Sequence, residues 1–282
     1  MRVFKFGGAS VKDANGVRNL VKVLEETGHQ ITFLVVSAMG KMTNAMEVVV
    51  KAYFDEQTSL KGALEEVRLY HQNILQELFE NKEHPVYKKV NLLFEEVSGF
   101  LAWNKSPNYS FVYDQVVGYG ELLSTTIVST YLNEAGIKNH WIDIRDFIKT
   151  DDNYRDGRVN WEKTQQLIAE GVEENKLYIT QGFLGSDDNN FTTTLGREGS
   201  DYTAAILAYC LNANSVTIWK DVPGVLNADP RYFEETKLLN KISYREAIEL
   251  AFYGASVIHP KTLQPLQRKE IPLHVKSFVN PR

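Results

Sequence analysis

VFKFGGAS, residues 3–10, is a short apolar strand pattern that runs into a pair of glycines. Val3, Phe4 and Phe6 flank a single lysine, Lys5, and a helical pattern follows over 11–27. Strand, glycine turn and helix, in that order, predict the first unit of an α/β sheet. Bare glycines let backbone amides come close to a phosphate, and Lys5 at the strand end can aim its charge at the same group. The lysine precedes the glycines, so this is not a Walker A loop. A glycine pair is also an ordinary way out of a strand, and on these residues alone both readings stand.

Outward from this unit the alternation continues. ITFLVV over 31–36 reads as a second buried strand, then SAMG, then a helix from about 43 in which Asn44 and Glu47 have capping-box spacing. From 60 to 101 apolar residues recur at helical spacing among charges, broken at His84-Pro85, which predicts an inserted helical hairpin with a solvated charged face. His71 and His84 lie there without a second ligand at metal spacing, so no metal site is assigned to them. A helix over 118–136 carries Glu121 in its first turn and ends at Gly136. A strand over 140–144 leads into a polar loop in which Thr150, Asp151 and Asp152 read as an exposed turn. A helix over 161–171, a strand over 177–180 and a hairpin over 182–194 turning at Asp188, Asn189 and Asn190 follow. The last elements are a strand over 215–219, a helix over 244–253 and a strand over 272–278. Strands alternating with helices predict a three-layer αβα sandwich around a mostly parallel sheet.

The densest chemistry is TLGREGSDYT, residues 194–203. Gly196 and Gly199 bracket Arg197 and Glu198, and an apolar helical pattern opens behind Ser200 and Asp201. A loop delivering into a helix N-terminus suits an anion, because the first-turn amides are unpaired. Ser200 or Asp201 as a simple cap accounts for the same pattern but leaves Arg197 without a role. Its planar fork suits a carboxylate or phosphate.

With 282 residues, 24% charged and 43% hydrophobic, the chain has the balance of a soluble globular protein with a sizeable core. A net charge of -5 without a long basic run points away from nucleic acid and anionic membrane. The single cysteine, Cys210, excludes an internal disulfide and reads as core packing. Met1 leads straight into a strand, and no apolar run approaches a membrane span, so a cytoplasmic protein is expected.

KFGGAS, VVSAMGKMTN, GELLS, TDD, TLGREGSD, KDVPGVLNADPR and GASVIHPKT resemble, in order, the blocks of aspartate kinases, a branch of the amino acid kinase family. The resemblance runs from Lys5 to about Pro281 and implies one catalytic domain over 1–282, its first part mainly for the amino acid and the part from about 195 mainly for the nucleotide. It implies transfer of the γ-phosphoryl group of ATP, with Mg²⁺, to the side-chain carboxylate of L-aspartate, a first step towards lysine, threonine and methionine. Lys5 would stabilise the transferring group and Asp201 would organise it. Thr43, Glu121, Arg197 and Ser200 would hold the amino acid, Glu121 through its ammonium and Arg197 through a carboxylate. Lys5, Gly7, Gly8, Ser37, Lys220, Asp221, Arg231 and Lys261 would hold the nucleotide, and no residue is assigned as a metal ligand. The chain departs from the family pattern at Ala9, Lys220, Leu226 and Ser256, which bears on how adenine is held. Aspartate kinases usually continue into ACT domains, which this sequence is not expected to contain, and are often dimers, so a homodimer is expected. A sister kinase for another carboxylate or for a nucleotide monophosphate, a nucleotide-binding subunit without turnover, and a purely structural domain are the alternatives. The combination of Thr43, Asn44, Glu121 and GREGSD argues against the sister kinase.

Overall fold

The computed structural model describes residues 1–55, 59–227, 233, 235–252 and 258–281. Its first half comprises β1 (Arg2–Phe6), α1 (Ala14–Thr27), β2 (Thr32–Val36), α2 (Met42–Phe54), α3 (Leu60–Leu78), α4 (Pro85–Trp103), α5 (Tyr109–Val117), α6 (Tyr119–Glu134) and β3 (His140–Trp141). Then follow α7 (Trp161–Gly171), β4 (Tyr178–Gln181), β5 (Leu184–Ser186), β6 (Thr192–Thr194), α8 (Gly199–Cys210), β7 (Ser215–Lys220), α9 (Tyr244–Phe252), α10 (Pro260–Arg268) and β8 (Leu273–Ser277).

Six strands form a parallel sheet in the order β3-β4-β2-β1-β7-β8, and β5 and β6 form a separate antiparallel hairpin. Side-chain alternation along β1 divides the core. Phe4 and Phe6 face one side with Leu34, Val36 and Trp219, under α1, α2 and α6. Phe6 stacks on the Trp219 indole at 5.9 Å, and Phe4 meets it edge-on at 5.7 Å. Val3 faces the other side with Phe33, Val35 and Ile218, under α7, α8 and α10. Lys5 shares the face of Val3 by the same period of two, so the fold aims it at α8. This is the expected three-layer arrangement.

The inserted hairpin is α3 and α4. Pro85 occupies the first turn of α4, where its missing N–H costs nothing, and His84 Nδ1 caps the helix by accepting from the Val86 N–H at 3.2 Å. Val67, Ile74, Val90 and Val97 are buried in the same core as α6. His71 is wholly buried among them, its Nδ1–H donating to the Val67 carbonyl at 2.7 Å. Burial lowers its pKa to about 4.

Several local expectations are corrected. Residues 8–11 form a 3-10 turn, and α1 starts only at Ala14 because Asp13 caps it, accepting from the Gly16 N–H at 2.8 Å. Asn44 and Glu47 make no capping box: α2 begins before them at Met42, and Glu47 accepts from the Tyr113 hydroxyl at 2.8 Å. Neither Ser200 nor Asp201 caps α8, since Glu198 holds the cap position in a left-handed conformation with φ 54°. Thr150 is buried, its hydroxyl 2.6 Å from that of Thr193, so the turn it opens is anchored to β6. The strand expected over 140–144 is only β3, and Ile144–Asp146 turns as a 3-10 segment. No helix among the described residues is long and apolar enough to cross a membrane.

Candidate active site

In a parallel sheet the carboxyl ends of the strands open towards one crevice, and ligands bind where the connections diverge. Here they diverge at β1, whose neighbours are β2 on one side and β7 on the other. Lys5 of β1, Ser37 after β2, Phe183 after β4 and Lys220 at the end of β7 all line one cavity of about 510 Å³. Thr43, Tyr113, Glu121, Arg155, Thr194, Gly196, Arg197, Glu198, Gly199, Ser200 and Asp201 complete its wall.

Lys5 Nζ lies 2.8 Å from Asp201 Oδ1, with the side chains 13% and 6% exposed. Asp201 stands in the first turn of α8, where a carboxylate is favourable with the helix dipole. The contact is a buried ion pair that fixes the ammonium beside the first turn of α8. Beneath it, the glycine turn packs closely. A Cβ on Gly8 would fall 2.6 Å from the Gly40 carbonyl oxygen and 2.7 Å from that of Ala38, and one on Gly7 would fall 3.3 Å from Lys5 Nζ. The Gly40 N–H donates to the Gly8 carbonyl at 3.0 Å, tying the loops after β1 and β2 together.

Glu121 is only 2% exposed. Its Oε1 accepts from the Ala38 N–H at 3.4 Å, and its Oε2 has no protein partner. Burial raises its pKa to about 8, opposed by the Ala38 N–H, the Thr43 hydroxyl and the Lys5 charge. A buried acid with an unspent oxygen is matched to a cationic hydrogen-bond donor.

The β5–β6 hairpin delivers the loop that carries Arg197 and Glu198. Glu198 Oε2 accepts from the His259 N–H at 2.8 Å, which binds the loop to the start of α10. Asp114, buried in α5, accepts from the Thr194 N–H and hydroxyl at 2.8 Å each and from the Arg155 N–H at 2.9 Å. Burial raises its pKa to about 6 against those three hydrogen bonds. One carboxylate thus joins α5, β6 and the loop after Thr150.

Of the residues singled out in the sequence, Lys5, Ser37, Thr43, Glu121, Arg197, Ser200, Asp201 and Lys220 meet in this cavity. Gly7 lies against the Lys5 ammonium and Gly8 against the loop after β2, and neither is in the cavity wall itself. Asp221 lines a second, larger groove of about 1380 Å³ with Pro223, Val225, Tyr244 and Lys276. Lys261 is not in the wall of either: its ammonium holds Asp156 Oδ1 at 2.7 Å and the Leu195 carbonyl at 2.9 Å. His259 caps α10, accepting from the Lys261 N–H at 3.1 Å, in keeping with a local structural role. Arg231 and Ser256 lie outside the described residues. The sequence reading passed over Tyr113, Asp114, Arg155 and Phe183. A lone aspartate within the apolar run FVYDQVV, residues 111–117, is the signal that marks α5, whereas nothing local marks Arg155.

This chain belongs to the amino acid kinase family, whose model matches residues 1–277. Within it, the chain is similar over nearly its whole length to aspartokinases. It is 33% identical over 285 residues to lysine-sensitive aspartokinase 3 of Escherichia coli, covering 99% of this chain and 62% of that protein. With bifunctional aspartokinase/homoserine dehydrogenase 2, chloroplastic, of Arabidopsis thaliana it shares 32% over 289 residues, covering 99% of this chain and 31% of the relative. The crystal structure of E. coli aspartokinase III in complex with aspartate and ADP superposes with a TM-score of 0.90 at 32% identity, covering all of this chain and 63% of the other. UMP kinase of Bacillus anthracis, at 13% identity and a TM-score of 0.53, shares the fold alone. The chain therefore spans between about a third and two thirds of the length of these aspartokinases.

Proposed function

We propose that the chain transfers the γ-phosphoryl group of ATP to the side-chain carboxylate of L-aspartate, giving 4-phospho-L-aspartate and ADP. The observation that carries this reading is the gathering of the Lys5–Asp201 pair, the buried Glu121 and Arg197 in one cavity at the sheet's carboxyl edge. The likeness to a structure that holds aspartate and ADP supports it. Glu121 takes the ammonium of the amino acid, Thr43 and Ser200 add hydrogen bonds, and Arg197 takes the carboxylate that does not react. The side-chain carboxylate, with an ordinary pKa near 4, is already ionised at neutral pH, so no general base is needed. One of its oxygens attacks the γ-phosphorus, the bond to the β,γ-bridging oxygen breaks, and ADP carries away the electron pair. What opposes the step is the meeting of two anions, and Lys5, held by Asp201, offsets it.

The phosphates lie over Gly7 and Gly8, near Ser37 and Lys220, and the base extends past Asp221 into the larger groove. Among the described residues no cluster of three or more acidic, histidine or cysteine side chains is placed to hold an ion. Mg²⁺ would enter with the nucleotide as Mg·ATP, with Asp201 the carboxylate beside Lys5 on this wall, and would supply charge neutralisation there. The reading makes this an enzyme of small molecules.

ADP release with Mg·ATP, measured with L-aspartate, with L-glutamate and with neither, tests the proposal. Release that depends on aspartate is expected, and Lys5→Met should lower kcat by on the order of a hundredfold or more. Equal release in all three mixtures, or a Lys5→Met protein with most of its turnover, would sink it.

A further inference from the structure

Arg155 has no role in the reading above, yet it lines the same cavity as Arg197. Among the described residues its guanidinium has neither a hydrogen-bond nor an ion-pair partner, although three features hold the residue in place. First, its φ is 72°, a left-handed conformation that an arginine adopts only when its surroundings impose it. Of the seven non-glycine residues with positive φ among those described, Arg155, Phe183 and Glu198 line this one cavity. Second, the wholly buried Asp114 accepts the Arg155 N–H at 2.9 Å and pins the loop to β6. Third, the guanidinium carbon lies 4.6 Å from the centre of the Tyr113 ring and 5.7 Å from that of Tyr109. Such aromatic contacts steady the cation while its edge N–H groups remain available to an anion.

The loop also touches the backbone that carries Arg197. A Cβ on Gly196 would fall 2.7 Å from Asp156 Oδ1 and 3.4 Å from the Arg155 carbonyl oxygen. Gly196 itself has φ 78°, so glycine is required there on both counts. The two arginines spring from loops in contact. Two acids of the cavity have other partners, Asp201 facing Lys5 and Glu198 accepting from the His259 N–H, and on the reading above Glu121 is reserved for the ammonium of the amino acid.

Resting on the aspartate-kinase reading, the geometry points to Arg155 as a second guanidinium for the non-reacting α-carboxylate of the amino acid, closing a two-armed clamp with Arg197. The substrate class is then an α-amino dicarboxylate. The reacting carboxylate is not the target, because pairing its attacking oxygen with a guanidinium would withdraw the charge that makes it a nucleophile. Arg155 also belongs to the wall built by α5 and β6, whereas phosphoryl transfer is centred on Lys5 at the end of β1.

Arg155→Gly is the informative variant, since glycine prefers the φ that residue 155 adopts and the backbone is relieved, not strained. Arg155→Asn, which tolerates the same conformation, serves if the glycine variant folds poorly. The measurements are KM for aspartate and for Mg·ATP, calorimetric binding of L-aspartate, and turnover of 3-aminopropanoate, which is aspartate without its α-carboxylate. Loss of a charge-assisted, forked contact should raise KM and Kd for aspartate by roughly tenfold or more, leave KM for Mg·ATP within twofold, and leave kcat/KM for 3-aminopropanoate as in the parent chain. Aspartate KM within twofold of the parent, or an equal rise for ATP, overturns the role of Arg155 and leaves the aspartate reading standing. A parent chain that neither binds nor turns over aspartate overturns both.

Discussion

Glu121 is the residue at which acidity and recognition meet. Burial raises its carboxyl to about 8, so near neutral pH it holds a proton, and in the role proposed for it an ammonium pairs with the ionised form. Binding of aspartate should therefore release a proton below about pH 8, and affinity should rise with pH up to that value and level off above it. Calorimetry in buffers of different ionisation enthalpy measures the release directly. Glu121→Gln should remove the pH dependence and weaken aspartate binding by roughly ten- to a hundredfold. An unsubstituted chain with the same affinity at pH 6 and pH 9 would contradict this account. The stability effect has the opposite direction: a raised carboxyl favours the fold below its ordinary value and ceases to do so as pH rises through 8. Without substrate, Glu121→Gln should accordingly be the more stable protein in alkaline buffer.

At the scale of elements, the contact between the loops after β1 and β2 holds together the two strand ends that bring Lys5 and Ser37 to the cavity. A methyl group on Gly8 would meet two backbone carbonyls inside van der Waals distance, and backbone cannot step aside as a side chain can. Gly8→Ala should cost about 1–3 kcal/mol of stability and displace the amides proposed to face the phosphates, seen as a lower denaturation midpoint together with a higher KM for Mg·ATP. A Gly8→Ala protein matching the parent in both would show that the loops are looser than their packing implies. Much of this level was legible in the chain itself. The strand at Phe4 and Phe6, the hairpin insertion broken at Pro85 and the helix behind Glu121 each carry their pattern locally. What escaped was fixed from a distance. The start of α8 follows Glu198, which holds a left-handed turn while its carboxylate accepts from the distant His259, and the loop that carries Arg155 is held by the buried Asp114 of α5. Glu47 carries the spacing of a capping box, but Tyr113 claims it through a long-range hydrogen bond.

For the molecule as a whole, acid should find a weak point at His71. It is fully buried, and its pKa is lowered to about 4 because burial disfavours the charged ring. A lowered value contributes stability above the ordinary 6.5 and loses it as pH falls towards 4, a difference of roughly 3 kcal/mol over the whole window. The raised carboxyls of Asp114 and Glu121 act in the opposite direction, so the comparison to make is with His71→Leu. Urea midpoints at pH 7 and pH 5 should fall further in the parent than in that variant, and equal falls would remove His71 from the account.

The position of β1 at the middle of the sheet has a consequence during synthesis. Arg2 pairs with Thr32 on one side but with Ser215 on the other. At about 5–20 residues per second, a ribosome needs on the order of ten seconds or more to supply that second partner. Through this interval the nascent strand presents an open, mostly apolar edge of the kind that recruits other chains, and a lysine within such an edge discourages that pairing. Arg2 and Lys5 are the charges that β1 carries along this edge until β7 emerges to cover it.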